Sequence, residues 1–273
     1  MDGDDEAGRV AGARHEDDMA ATRRIGIIGF GTIGRAILAA CRDNGLAEVG
    51  FVLGRPSAAP PEGLAPELFV TDLDAALARP VDLIVEAAVA DVLTRNAERL
   101  LASADVLGLS CTALADAATE ATVRAACATH RRRWFVPHGA VLALDGLADG
   151  RDAIESVVIT TTKSGKSLGV DPDADGVLYD GPTRGACGRF PRNVNVHAAV
   201  ALAGIGFDRT ISRVVAKPGH GMNEHHIAVA GDGIAWDIRV ASPSLGGVTA
   251  AYTPRSAIGS IRRILGGAGV AIA

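Results

Sequence analysis

Arg24-Ile25-Gly26-Ile27-Ile28-Gly29-Phe30-Gly31-Thr32-Ile33-Gly34-Arg35 is the stretch on which the reading of this chain turns. Its apolar run, Ile25 to Ile28, predicts a buried strand. The run leads straight into Gly29-x-Gly31-x-x-Gly34, and a helical pattern follows from 35 to 44. Strand, tight turn and helix in that order grip a dinucleotide pyrophosphate. Gly29 makes the turn, Gly31 lets backbone approach the phosphates, and Gly34 lets helix and strand pack closely. The phosphates then lie on the helix N-terminus, at Thr32 and Ile33, where free N–H groups and the dipole favour negative charge.

Outward from this motif, strand and helix patterns alternate. Strands are predicted at 48–53, 83–86, 106–109 and 134–136, and helices at 72–77, 89–101 and 116–130. Such alternation implies a parallel, doubly wound sheet. Past Pro137 the character changes. Residues 153–162 are rich in Val, Ile and Thr and read as a longer strand. Residues 165–188 read as loop, 195–202 as helix, and 209–216, 226–230 and 235–240 as strands. The expected fold class is α/β: an N-terminal Rossmann sheet followed by an α+β domain with a mostly antiparallel sheet. The expected layout is a disordered tail over 1–22, a dinucleotide-binding domain over 23–137, and a catalytic, substrate-binding and dimerisation domain over 138–250. An amphipathic helix within 251–273 is expected to pack back on the Rossmann domain.

Composition narrows the function classes. The net charge of −5 and the absence of any basic run give no reason to expect nucleic-acid binding. No apolar stretch is long enough to span a membrane, and the acidic start does not resemble a secretory signal. Cys41, Cys111, Cys127 and Cys187 are scattered with no CxxC, which fits reduced thiols in a cytoplasmic protein. An acid about twenty residues past the glycines would favour NAD. The segment there is Val52-Leu53-Gly54-Arg55-Pro56-Ser57, with no acid. Arg55 is a partner for a 2′-phosphate and Ser57 a hydrogen-bond donor to it, so NADP is favoured slightly over NAD.

Two later segments carry chemistry. In Arg189-Phe190-Pro191-Arg192-Asn193-Val194-Asn195-Val196, either Asn193 or Asn195 is a candidate helix cap. A second Asn beside a basic residue can instead serve a cofactor amide or a substrate carboxylate. In His220-Gly221-Met222-Asn223-Glu224-His225-His226-Ile227, the histidines match no metal-ligand spacing, so no metal is expected. Strand alternation separates His225 from His226, putting one toward a cleft and the other away. Either is a candidate proton carrier for hydride-transfer chemistry, with a surface role favoured for His226.

Four segments together resemble the L-aspartate dehydrogenase family. GFGTIG matches its cofactor turn. Phe135-Val136-Pro137-His138-Gly139-Ala140 with Leu144-Asp145-Gly146-Leu147 resembles its VPSGA…LDAL hinge. RFPRNVNVHAAVALAGIGFDRT, from Arg189 to Thr210, is close to its YPKNxNVAAxxALAGxGxxRT, and Asn223-x-His225-x-Ile227 is similar to its NxHxI. The resemblance implies NAD(P)-dependent oxidation of L-aspartate to iminosuccinate, which hydrolyses to oxaloacetate, with reductive amination in reverse. It implies His225 as acid/base, Asn195 and Ala140 at the nicotinamide, and a homodimer. The substrate is then a small dicarboxylate amino acid or its imine, and Lys163, Lys166 and Arg192 are candidate carboxylate partners. Three departures stand out: His138 replaces Ser, Lys217 replaces Asp, and Thr162-Lys163-Ser164-Gly165-Lys166 replaces an Arg-Lys-Pro-Pro loop. They keep open an NADP-dependent reductase of another small imine or keto acid. Lys217, if close, would depress the His225 pKa. A non-catalytic nicotinamide-binding subunit is the third reading.

Overall fold

The computed structural model describes residues 23–56, 58–245 and 248–266. The tail expected over 1–22 and Ser57 lie outside them. The first half builds a six-stranded parallel sheet from β1 (Arg24–Ile28), β2 (Glu48–Leu53), β3 (Phe69–Val70), β4 (Leu83–Glu86), β5 (Asp105–Gly108) and β6 (Trp134–Phe135). Their order is β3-β2-β1-β4-β5-β6, with β1 at the switch point. The strands are continuous apolar runs because both faces are covered. Alternation splits β4: Leu83 and Val85 join the core beneath α1 (Thr32–Asn44), whereas Ile84 joins the core beneath α3 (Ala90–Ser103) and α4 (Ala117–His130). Asp72 caps the short α2 (Leu73–Leu77) through Ala75 N–H at 2.9 Å, and Asp116 caps α4 through Thr119 N–H at 2.8 Å.

After α5 (Leu144–Asp149) come β7 (Ile154–Lys163), α6 (Gly165–Leu168), β8 (Gly176–Pro182), α7 (Thr183–Arg189), α8 (Asn195–Ala203), β9 (Ile211–Ala216), β10 (Met222–Gly231) and β11 (Ile234–Pro243). The second sheet runs β11-β10-β7-β9-β8 and is antiparallel except at β7–β9. Its inner face, with Val157, Ile159, Val214 and Ile227, packs on the apolar α8. The other side of α8 meets the turn at Cys111–Ala115 that follows β5, so one helix ties both sheets together. The last helix, α9 (Tyr252–Leu265), lies on α1 and buries Ala257 and Ile261 in the core that holds Ile25 and Ile27. Among the described residues, no helix is long and apolar enough to cross a membrane.

The segment read as loop is the main correction: 165–188 holds α6, β8 and α7. Its breakers have positional roles. Pro182 ends β8, the edge strand, where a missing N–H breaks no inner ladder bond. Gly165 lies so close to the Asp171 carbonyl that a Cβ would stand 1.9 Å from it, so the chain folds tightly over α6. A second difference is that β10 starts at Met222 rather than 226, which places His225 within the strand.

Candidate active site

A cleft of about 640 Å³ opens between the C-terminal edge of the parallel sheet and the second sheet. The glycine turn forms one wall. Gly29 has φ +93°, and a Cβ there would meet the Ala87 carbonyl at 2.7 Å; at Gly34 it would meet the Gly29 carbonyl at 2.2 Å. These two glycines shape the turn. Gly31, Thr32 and Ile33 line the cleft, and a Cβ on Gly31 would meet no atom within 4 Å. The α1 N-terminus has no side-chain cap and no acid in its first turn. Open space beside uncapped N–H donors fits a pyrophosphate.

The wall next to it rests on Glu86, a buried acid at the end of β4. Its carboxylate accepts from Ala88 N–H (2.7 Å), Ser110 N–H (3.0 Å) and Ser110 O–H (2.9 Å). Burial raises its pKa, against the pull of those donors. It thereby fixes the loops after β4 and β5, whose Ala87, Ala88 and Ser110 face the cleft.

The opposite wall comes from the second sheet. His225 is 2% exposed and lines the cleft, as do Lys163, Asn193 and Asn195. His225 stands opposite Thr161 in the β10–β7 register, and its Nδ1 is 2.8 Å from Thr161 Oγ1. Burial first, and the Lys163 charge second, push its pKa down to about 3. Burial alone pushes the Lys163 pKa down to about 8. Neither Asn caps α8, whose N-cap is Val194. Asn195 Oδ1 instead accepts from Thr112 N–H at 3.1 Å across the interface between the sheets, and shares the Thr112 hydroxyl proton (3.1 Å) with the Pro191 carbonyl (2.9 Å). Asn193 Oδ1 accepts from Lys163 Nζ at 3.5 Å.

A family model described as "Aspartate dehydrogenase, C-terminal" matches residues 145–264, and one described as "Homoserine dehydrogenase, NAD binding domain" matches 29–137. L-aspartate dehydrogenase 2 of Bordetella pertussis is 37% identical over 222 residues, covering 76% of this chain and 83% of that protein. The chain belongs to the L-aspartate dehydrogenase family. The L-aspartate dehydrogenase of Methanosarcina acetivorans is 33% identical over 267 residues, covering 89% of this chain and 97% of its own. A crystal structure of aspartate dehydrogenase from Thermotoga maritima shares the fold. Its TM-score is 0.70 at 23% identity, covering 89% of this chain and 95% of that one.

Seen as a member of the L-aspartate dehydrogenase family, the chain gathers most of its sequence-predicted site residues in one place. Gly31, Thr32, Ile33, Ala140, Lys163, Arg192, Asn195 and His225 all line the cleft. Gly29 and Gly34 stand behind its wall. Lys166 does not join them: it is exposed on α6, outside the cleft wall. Lys217 is also exposed and outside, so the cation acting on His225 is Lys163. Arg55 is exposed just beyond β2 and lies outside the cleft wall. His226 turns away from the cleft and bonds Asp237 at 2.8 Å. His138 lines the cleft, and its Nδ1 accepts from Arg263 of α9 at 3.1 Å. Burial, with Arg263 second, lowers its pKa.

Sequence reading missed Glu86 and His197. A Glu closing the apolar run Leu83-Ile84-Val85-Glu86 was one available signal. For His197, the signal was an imidazole where the family pattern quoted above carries Ala. Among the described residues, no group of three His, Cys, Asp or Glu side chains is placed to hold a metal.

Proposed function

We propose that this chain is an NAD(P)-dependent L-aspartate dehydrogenase whose acid/base is His225. One observation carries the assignment of the residue: a buried imidazole lines the same cleft as an uncapped, glycine-shaped helix N-terminus. The pyrophosphate is held by the N–H groups around Gly31, Thr32 and Ile33, with Ala140 and Asn195 at the nicotinamide end. Asn195 uses its oxygen on Thr112, which leaves its amide N–H groups for a ligand. A nicotinamide cofactor held there would supply the hydride acceptor for the substrate Cα in oxidation and the hydride donor in reduction. Lys163 and Arg192 supply cations for the two substrate carboxylates. His225 takes a proton from the substrate ammonium group, freeing the nitrogen lone pair to form the C=N bond as hydride departs. L-aspartate and NAD(P)⁺ thus give protonated iminosuccinate, NAD(P)H and one proton, and water converts the iminium to oxaloacetate and ammonium.

The substrate carboxylates bring negative charge beside His225. That raises its depressed pKa toward one useful for proton transfer. Arg55 at the end of β2 favours NADP. The described helices and sheets suit a dinucleotide-binding domain over 23–137, a substrate domain over 138–250 and a returning C-terminal helix, and the family resemblance adds a homodimer made through the second domain. The test follows nicotinamide absorbance with L-aspartate and either cofactor, then with oxaloacetate and ammonium. Turnover is expected in both directions. His225→Asn is expected to lose about a hundredfold or more in kcat while still binding NADPH. Unchanged turnover would remove His225 from the mechanism.

A further inference from the structure

Behind His225 runs a row of buried polar side chains that the reaction itself does not touch. His225 Nδ1 lies 2.8 Å from Thr161 Oγ1, which lies 2.6 Å from His197 Nε2. His197 Nδ1 lies 2.8 Å from Ser212 Oγ, which lies 2.7 Å from Thr183 Oγ1. Thr183 Oγ1 ends the row on the Thr210 carbonyl at 3.0 Å. Thr161, Thr183, His197 and Ser212 are all fully buried, so water does not replace any partner.

The direction of each bond follows from its end. A carbonyl only accepts, so Thr183 spends its one hydroxyl proton on Thr210. Thr183 Oγ1 therefore accepts from Ser212, whose own proton is then used. Ser212 Oγ accepts from His197 Nδ1–H. That leaves His197 Nε2 as an acceptor, and it takes the Thr161 hydroxyl proton. Thr161 Oγ1 in turn accepts from His225 Nδ1–H. We infer that this row fixes His225 as its Nδ1–H tautomer, turning the unprotonated Nε2 into the cleft as a ready base. Thr161 and His197 are thus positioning residues, acting on substrate only through the ring they orient. Every donor along the row finds one acceptor only if His197 is neutral. Burial, with His225 and Lys163 adding to it, holds its pKa well below the ordinary value.

The consequence for catalysis rests on His225 being the acid/base, but the tautomer itself does not. Long-range ¹H–¹⁵N correlation spectra of the ligand-free, full-length protein at neutral pH read it directly, with His225→Asn and His197→Gln assigning the rings. Both rings are expected neutral, with the proton on Nδ1. A proton on His225 Nε2, or a doubly protonated ring, would overturn the inference. In parallel, Thr161→Val is expected to lower kcat by about ten- to a hundredfold, with KM for L-aspartate and NADPH affinity little changed. Thr161→Ser, which keeps the hydroxyl, is expected to restore most of it. Parental kcat in the Val variant, or no recovery in the Ser variant, would also overturn it. Should Thr161→Val lose NADPH binding as well, the change has damaged packing, and the spectrum of the parent protein decides. A protein inactive on aspartate that still shows the Nδ1–H ring would refute the aspartate reading and leave this inference standing.

Discussion

Lys163 brings an ammonium group into a place where it is 3% exposed. Its contacts among the described residues are long: 3.5 Å to Asn193 Oδ1 and 3.4 Å to the Val248 carbonyl. Charge buried with such partial compensation costs stability. Its folded pKa, about 8, lies below the 10.5 of a free lysine. The cost is therefore present in full below the folded value and is relieved as pH rises through the window between the two. Lys163→Met is expected to raise unfolding free energy by about 1–3 kcal/mol in urea at neutral pH, while abolishing binding of a dicarboxylate. A destabilised variant would show that the long contacts compensate the charge after all. Succinate, a dicarboxylate lacking the reacting amine, separates binding from turnover. Its affinity in calorimetric titrations is expected to fall as pH rises through about 8, where free Lys163 loses its charge. A flat profile would place the carboxylate partner elsewhere.

The glycine turn shows how one element divides its labour, and two alanine variants separate the parts. Gly34→Ala would set a Cβ 2.2 Å from a backbone carbonyl, so β1 and α1 must move apart. A loss of about 1–3 kcal/mol is expected in denaturant unfolding, with cofactor binding weakened as a result. Gly31→Ala meets no atom within 4 Å and has φ −83°, so the ligand-free protein is expected to keep its Tm. NADPH affinity is nonetheless expected to fall about tenfold or more, because the methyl group occupies space the phosphates need. Equal Tm losses in both variants would contradict this division. The turn was legible in the sequence because strand, glycines and helix are adjacent and each requirement is local. Residues 165–188 read as loop in the sequence because glycine and proline commonly mark loops. There they serve an edge strand and a tight return, which only the neighbouring chain reveals. The row behind His225 was illegible for the same reason. Thr161, His197 and Ser212 are far apart along the chain and meet through sheet register and the seating of α8.

At the scale of the molecule, the first sheet is completed by the last described helix. Ile25 and Ile27 on β1, Ile37 on α1, and Ala257 and Ile261 on α9 share one core, each with no solvent exposure. Ile261→Ala is expected to cost about 2–5 kcal/mol in denaturant unfolding, with the loss felt by the dinucleotide site although the residue lies far from it in sequence. A surface-like cost below about 0.5 kcal/mol would mean that α9 rests loosely on the sheet. The arrangement also bears on how the protein is made. Translation delivers β1 through β6 and α1 long before α9, so the nascent Rossmann sheet lacks part of the cover on one face while the second half is still being added. Domains usually fold in turn as they emerge, but here one face of the first is completed only when α9 arrives. The growing chain carries the apolar patch that Ala257 and Ile261 cover until α9 is made, and that patch is open to chaperones and proteases in the ribosome-bound intermediate.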